Sequence, residues 1–140
     1  MTIPLWVLLG FALWTILILV VCVGVDRLTK ILSGRARLNE FPGDTPHGSP
    51  RYRRAMRAHA NCVENLPVYT ALVVVITAVH ATSPVLDALA LALLGARILQ
   101  TTIHVAMEET PAAVGIRFAF FAVQLVCMVW MGIEAGLAAA

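Results

Sequence analysis

The sequence predicts an all-α membrane protein, a bundle of four transmembrane helices in a single domain over residues 1–140. Of these residues, 60% are hydrophobic and 13% are charged, whereas a soluble domain has about 45–50% apolar and about 25% charged residues. Four apolar segments are each long enough to cross a hydrocarbon core of about 30 Å. Most of the positive charge lies between the first two segments. The four spans occupy most of the chain and leave no room for a separate soluble domain.

The first predicted helix covers residues 3–28. Its core, residues 3–25, is an uninterrupted apolar run that is long enough to span a bilayer. The run lacks the basic n-region of a signal peptide, and no A-x-A-like cleavage site follows it, so we expect a retained helix. Residues 26–50 are rich in Gly, Pro, Ser and charge, which predicts an interfacial turn followed by a loop.

The second predicted helix covers residues 51–80. Its apolar part is limited to residues 66–79, and this stretch corresponds to about 21 Å of helix. The arginine-rich first turns should therefore project beyond the hydrocarbon. Pro67 lies inside the predicted helix, and membrane helices tolerate such a proline when neighbouring groups satisfy the freed carbonyl.

The third and fourth predicted helices complete the bundle. The third covers residues 85–107 and carries Arg97 in its interior. The EETP sequence that follows predicts a turn, with Thr110 as the N-cap and Pro111 at the first helical position. The fourth helix is predicted over residues 112–138.

The basic residues predict how the chain sits in the membrane. Eight of the ten Lys and Arg side chains lie between the first two apolar segments: Arg27, Lys30, Arg35, Arg37, Arg51, Arg53, Arg54 and Arg57. The positive-inside rule places residues 26–57 in the cytoplasm and both termini on the far side. We therefore expect a multi-pass protein of an inner or plasma membrane.

Three of the four helices carry polar side chains at membrane depth. A charge at the bilayer centre costs about 2.5–3.5 kcal/mol on the insertion scale, so such groups are expected to face the bundle interior or a functional site. At about 100° per residue, one face of the second helix is formed by Arg54, Arg57, Asn61, Glu64, Asn65 and Val68. One face of the third carries Arg97, Gln100, Thr101, His104 and Glu108. On the fourth helix, Arg117 and Gln124 align.

These polar residues have a structural and a functional interpretation. In the structural one, Glu64 pairs with Arg57 or Arg97 to fix helix packing, and the arginines within residues 51–54 bind lipid headgroups. In the functional one, arginines bind carboxylates, glutamate accepts from an ammonium group, and Asn or Gln satisfies amides. The complementary ligand is a small zwitterionic peptide with more than one carboxylate. If that peptide carries a thiol, a neighbouring arginine stabilises the reactive thiolate.

Residues 54–69, RAMRAHANCVENLPVY, resemble the signature of the MAPEG family, the membrane-associated proteins in eicosanoid and glutathione metabolism. The length, the four helices and the long first loop fit the same family. The resemblance implies a homotrimer that binds glutathione between neighbouring subunits near the cytosolic face. Enzymatic members conjugate glutathione to lipophilic electrophiles, reduce lipid hydroperoxides or make eicosanoid lipids, whereas one member is a lipoxygenase-activating protein without catalytic activity.

The resemblance assigns roles to individual residues. Arg27 matches the family's glutathione-binding arginine at the end of the first helix. Arg57, Asn61 and Glu64 match the second-helix motif, and Arg117 resembles the fourth-helix arginine that stabilises the thiolate. The predicted site therefore has Arg117 as its catalytic residue and, as binding residues, Arg27, Arg54, Arg57, Asn61, Glu64, Arg97, Gln100 and His104. Glutathione or another small thiol is the expected cosubstrate, and no metal is expected.

The chain also departs from the family pattern. Ala60 stands where eicosanoid-synthesising relatives carry an arginine just before the motif's asparagine. His104 and Phe121 stand in place of tyrosines on the third and fourth helices, and Phe118 replaces a small residue after the fourth-helix arginine. Part of the usual glutathione clasp is therefore absent.

Three functions compete for this sequence. The first is a thiol-dependent transferase or peroxidase that acts on lipophilic electrophiles or lipid hydroperoxides. The second is a scaffold that binds a lipid or a partner helix without chemistry, and the missing tyrosines favour it. The third is a small channel or transporter, which would explain Arg97 and Glu64 as parts of a conduction path. We rank it last because the polar stripes fade toward the far ends of the second and fourth helices.

Overall fold

The computed structural model of the chain describes residues 1–42 and 47–139. Its helical elements in order are α1 (Ile3–Ile18), a π-helical segment (Leu19–Gly24), α2 (Val25–Leu32), α3 (Pro50–Ala78), α4 (Pro84–Ala106) and α5 (Pro111–Ala139). The first three run on as one span, Ile3–Leu32, so four helical spans are long and apolar enough to cross a membrane. The predicted four-span helical architecture is confirmed. Residues 43–46 of the predicted loop lie outside the described part of the chain.

Three helices begin with the same local chemistry. Each of α3, α4 and α5 has a proline at its first position, directly after a serine or threonine. That hydroxyl accepts a hydrogen bond from a first-turn N–H: Tyr52 N to Ser49 Oγ at 3.2 Å, Leu86 N to Ser83 Oγ at 3.1 Å, and Ala113 N to Thr110 Oγ1 at 3.2 Å. Proline has no N–H to leave unsatisfied there, and the hydroxyl satisfies one of the remaining free donors. The predicted Thr110 cap is confirmed.

The first span is longer than predicted and changes its helical geometry. We expected a helix to about residue 28 and then a turn, but the chain stays helical to Leu32. Gly34, at φ +68°, then ends the helix, with hydrogen bonds from its own N–H to Ile31 O and from the next N–H to Lys30 O. The π-helical segment is an additional difference. One extra residue in a turn rotates the following helix by about 100° relative to an uninterrupted α-helix.

The spans pack with α4 at the centre. Helix α4 contacts α1, α3 and α5, and α3 also contacts α1 and α5. Of the four spans, α4 is the most buried inside the bundle. The main core joins apolar side chains from all four spans, among them Phe11, Tyr69, Leu93 and Met131. Polar side chains on the inner face of α4 are consequently enclosed by the other helices.

Tyr69 has a packing role in the bundle core. Its side chain is fully buried and its ring lies 6.3 Å from that of Phe11, measured between centroids. Its hydroxyl donates a 3.1 Å hydrogen bond to the Pro4 carbonyl oxygen, which ties α3 to the first turn of α1. A buried hydroxyl in a membrane bundle needs such a partner because lipid offers none.

A pair of leucine substitutions on α4 should show how much core packing, as opposed to hydrophobicity alone, contributes to the free energy of unfolding. Leu93 is buried, whereas Leu91 is half exposed on the outer surface. In the cores of soluble proteins, Leu→Ala lowers the free energy of unfolding by about 2–5 kcal/mol. We expect the lower end of this range for Leu93→Ala. Because lipid is as apolar as the core, the main cost is the loss of packing contacts. Leu91→Ala should change the free energy of unfolding much less, since lipid refills the space. Unfolding in mixed detergent–lipid micelles measures both, and equal losses would contradict this packing.

Candidate functional site

The polar stripe of α4 lies inside the bundle, as predicted. Its buried members are Arg97, Gln100, Thr101 and His104. The predicted continuation to Glu108 is wrong. Helix α4 ends at Ala106, Met107 adopts an extended backbone, and Glu108 lies in the exposed turn that follows. The stripe therefore ends at His104.

Arg97 is the largest fully buried side chain, with 1% of its surface exposed. Its Nη1 donates to the Asn61 carbonyl oxygen at 3.4 Å, and its guanidinium lies 5.3 Å from the centroid of the Phe11 ring. Its Nε and Nη2 have no hydrogen-bond partner in the described part of the chain. No carboxylate in residues 1–42 or 47–139 forms an ion pair with it. Arg97 thus links α4 to α1 and α3 without an ion pair in the described residues.

A glutamine bridge joins α4 to α5. Gln124 Nε2 donates to Gln100 Oε1 at 3.1 Å and to the Phe120 carbonyl at 2.8 Å. Gln100 Nε2 in turn donates to the backbone carbonyl of Arg117 at 3.1 Å. Both ends of the Gln100 amide are therefore engaged within the bundle. Gln100 holds the backbone from which the Arg117 side chain projects.

Arg57 forms its ion pair with a residue that the sequence interpretation did not select. Its Nη2 bonds Glu109 Oε1, and this pair connects α3 to the turn between α4 and α5. Glu64, which the structural interpretation paired with Arg57 or Arg97, makes no ion pair within the described residues, although its negative charge acts on Arg97. Both partners of the Arg57–Glu109 pair are partly exposed, with side-chain exposures of 57% and 42%.

The charges of three arginines act on His104 at this end of the bundle. His104 is buried and lies in the electric field of Arg117, Arg57 and Arg54, with Glu109 as the opposing negative charge. These arginines come from two helices, α3 and α5, that meet beside the end of α4. We call Arg54, Arg57, His104 and Arg117 the cationic cluster. With one carboxylate against three guanidinium groups, it is suited to an anionic ligand.

The polar stripe of α3 faces outward in the single chain. Glu64 and Val68 are exposed and Asn61 is partly exposed, whereas the Asn65 side chain turns inward and donates to the Asn61 carbonyl at 2.8 Å. Glu64 lies where the uncharged part of α3 begins. An exposed carboxylate at that depth is unfavourable against lipid. This face of α3 therefore requires a polar neighbour.

Arg27 lies on a different side of α3 from the cationic cluster. Its Nε donates to the Tyr52 hydroxyl at 2.6 Å, and its Nη2 lies 3.9 Å from Met56 Sδ. Tyr52 and Arg57 are five residues apart, which separates them by about 140° around the helix. One chain therefore does not bring Arg27 together with Arg57, Asn61 and Glu64.

Sequence reasoning missed two residues, Glu109 and Tyr52. Helical spacing selected Glu108 because it assumed that α4 continued, whereas the turn presents its neighbour to Arg57. For Tyr52 a signal was present: an aromatic ring among the arginines of residues 51–54 is a common setting for cation–π contacts.

The fold and these clusters define a multi-pass membrane protein with apolar sides and most of its arginines gathered at one end of a four-helix bundle. The sequence model of the MAPEG family matches residues 3–137, and the chain belongs to this family. The family resemblance carried by residues 54–69 is thereby confirmed. No curated protein and no solved structure matches the chain.

A double-mutant cycle tests the glutamine bridge. Gln100→Leu and Gln124→Leu should each destabilise the bundle, and the double variant should lose less than the sum, because either substitution breaks the same bond. The expected coupling is about 0.6 kcal/mol, the average for hydrogen bonds between membrane helices. Unfolding in mixed micelles measures it. The control pair combines Gln124→Leu with Thr102→Val. The Thr102 hydroxyl donates to Ile98 O on its own helix, so this pair should show no coupling. An uncoupled glutamine pair would contradict the bridge.

Proposed function

We propose that this protein is a thiol-dependent membrane transferase or peroxidase. It uses glutathione or another low-molecular-weight thiol peptide against lipophilic electrophiles or lipid hydroperoxides. The observation that carries the proposal is the cationic cluster: three arginines whose charges act on a buried histidine at one end of an apolar bundle. Membership of the MAPEG family supports it.

The thiol peptide is held by charge and by amide contacts. The guanidinium groups of Arg54 and Arg57 bind its carboxylates through paired N–H donors. Glu64 accepts from its ammonium group, and the Asn61 side chain satisfies a peptide amide. Each of these partners can bind the peptide without a metal ion.

Arg117 acts on the thiol itself. A guanidinium beside the sulfur favours the thiolate over the thiol, and the thiolate is the nucleophile. The glutamine bridge fixes the backbone from which the Arg117 side chain extends, and a charge held near the sulfur stabilises the anion that forms there. Holding both reactants in one site then supplies the proximity on which the reaction depends.

Two reactions follow from a stabilised thiolate. With a chloronitrobenzene, the sulfur forms a bond to the ring carbon and chloride leaves. With a lipid hydroperoxide, the sulfur attacks the O–O bond and releases the lipid alcohol, and a second thiol converts the resulting sulfenic acid to a disulfide and water. The lipophilic substrate reaches the site through the bilayer, along the apolar outer surface of the helices.

The site is completed between copies of the chain. Arg27 and the Asn61–Glu64 face lie on different sides of α3, and the outward face carries an exposed carboxylate that needs a polar neighbour. A second copy supplies that neighbour and brings the Arg27 of one copy to the stripe of the other. A closed homotrimer satisfies this requirement for every copy. The arginine-rich end faces the cytoplasm of a plasma or inner membrane by the positive-inside rule.

A lipid-binding scaffold is the second candidate, and one surface favours it. Phe118 is 69% exposed directly beside Arg117, and Phe121 is half-buried one turn further along α5. These rings give the surroundings of Arg117 an apolar character that suits an acyl chain. Such a scaffold would retain lipid through purification and show no turnover with any electrophile.

Replacing Arg117 tests the enzyme directly. Arg117→Ala should lower conjugation of a chloronitrobenzene by about 10²–10³-fold, as expected when one group that stabilises a developing charge is removed. The thiolate absorbance of bound glutathione should fall in parallel. Arg37→Ala, at an exposed arginine of the first loop, is the control and should keep full activity. Full activity in Arg117→Ala would refute the assignment of this residue.

Replacing Glu109 tests whether Arg57 binds the ligand. Glu109→Gln removes the carboxylate that occupies Arg57, so glutathione should bind about two- to fivefold more tightly, the equivalent of one partly exposed ion pair. Glu108→Gln is the matched control and should leave the affinity unchanged, because the adjacent glutamate makes no ion pair in the described residues. Native mass spectrometry of the detergent-purified protein reports the bound thiol and the number of chains together. Weaker binding by Glu109→Gln would count against Arg57.

A further inference from the structure

Arg27 is held in place entirely by neutral groups. Its Nε donates to the Tyr52 hydroxyl at 2.6 Å, its Nη2 lies 3.9 Å from Met56 Sδ, and its guanidinium lies 5.3 Å from the centroid of the Phe41 ring. The acid next to it in sequence, Asp26, is engaged by Lys30 at 2.6 Å. Its position is fixed, and no acid in residues 1–42 or 47–139 forms an ion pair with it.

Tyr52 is the centre of this arrangement. Its side chain is 3% exposed, and its ring lies 5.9 Å from the Arg27 guanidinium and 5.2 Å from Lys30 Nζ. The His47 ring lies 5.2 Å from it on another side. Burial and these contacts fix the ring, so the hydroxyl is a rigid acceptor. The rotation introduced by the π-helical segment precedes Arg27 and sets the direction from which its side chain approaches.

We infer that Tyr52 is the positioning residue for Arg27, and that Arg27 so held presents a preformed guanidinium edge to a carboxylate of the thiol peptide. This inference rests on the proposed function. A phenol accepts the Nε hydrogen bond without cancelling the charge, as a carboxylate would. In the described residues nothing accepts from Nη1, so that donor is left for a ligand. Holding a flexible arginine in advance removes an ordering cost that binding otherwise incurs.

The test compares two tyrosines. Tyr52→Phe keeps the ring and its cation–π contacts but removes the acceptor. It should raise the Kd and KM for glutathione by about two- to tenfold, the range for ordering one flexible side chain, and leave kcat at saturating thiol unchanged. Tyr69→Phe is the matched control, since its hydroxyl bonds Pro4 O in the bundle core, and it should bind glutathione like the wild type.

Two further arms separate positioning from a general structural effect. In an Arg27→Ala background, Tyr52→Phe should cause no further loss of affinity, because the residue acts through Arg27. With glutathione diethyl ester, which lacks free carboxylates, Tyr52→Phe and the wild type should bind equally. A loss of the same size in the Arg27→Ala background or with the diester would overturn the inference.

The outcomes also distinguish this inference from the proposed function. If the wild type binds and conjugates glutathione and Tyr52→Phe matches it in both Kd and KM, the role of Tyr52 is refuted and the enzyme proposal stands. If the wild type neither binds nor conjugates glutathione or any other low-molecular-weight thiol peptide, both are refuted.

Discussion

The absence of water in the bilayer core is the constraint on which the structure depends, because every polar group at that depth must find its partner within the protein. Helix α4 carries most of these groups, and the other three spans enclose it. Arg97 reaches the α3 backbone, and Gln100 reaches Gln124 and the backbone of Arg117. The hydrogen bonds that these α4 side chains make therefore also fix the relative positions of the helices. Packing and site geometry have a common origin in this bundle.

Helix α3 meets the same constraint in a different way. On its inner face, the side chains of Tyr52, Asn65 and Tyr69 form hydrogen bonds within the bundle. On its outer face, Asn61 is partly exposed and Glu64 is exposed. A soluble protein would simply hydrate such a face. In a membrane the same face needs a polar neighbour, which in our proposal is another copy of the chain, and it is also the face proposed to hold a zwitterionic ligand. The requirement for a neighbour and the location of the proposed site thus arise from the same residues.

The sequence predicted those features that depend on local pattern. Apolar run length predicted the four spans, helical spacing predicted the buried face of α4, and the Thr-Pro pair predicted the cap at Thr110. Features that depend on tertiary geometry were not predictable. The choice of Glu109 over Glu108 depends on the residue at which α4 ends, and the partner of Arg27 depends on a π-helical turn with no sequence signature. The ligand roles of the predicted site residues stay predictions.

The π-helical segment separates the first span into two parts, one constrained by packing and the other by the direction of Arg27. Before it, the buried residues Val7, Phe11, Thr15 and Ile18 follow the ordinary spacing of a helix that packs on its neighbours. After it, the helix faces are rotated, and the direction of the Arg27 side chain decides whether it reaches the Tyr52 hydroxyl. Substitutions on the lipid-facing side of α1 can therefore accumulate without moving the arginine. A one-residue deletion within Leu19–Gly24 would have a different effect from these substitutions. It would keep the span apolar but turn Arg27 away from Tyr52. In this span, the number of residues sets the direction of Arg27, whereas the hydrophobicity of the residues does not.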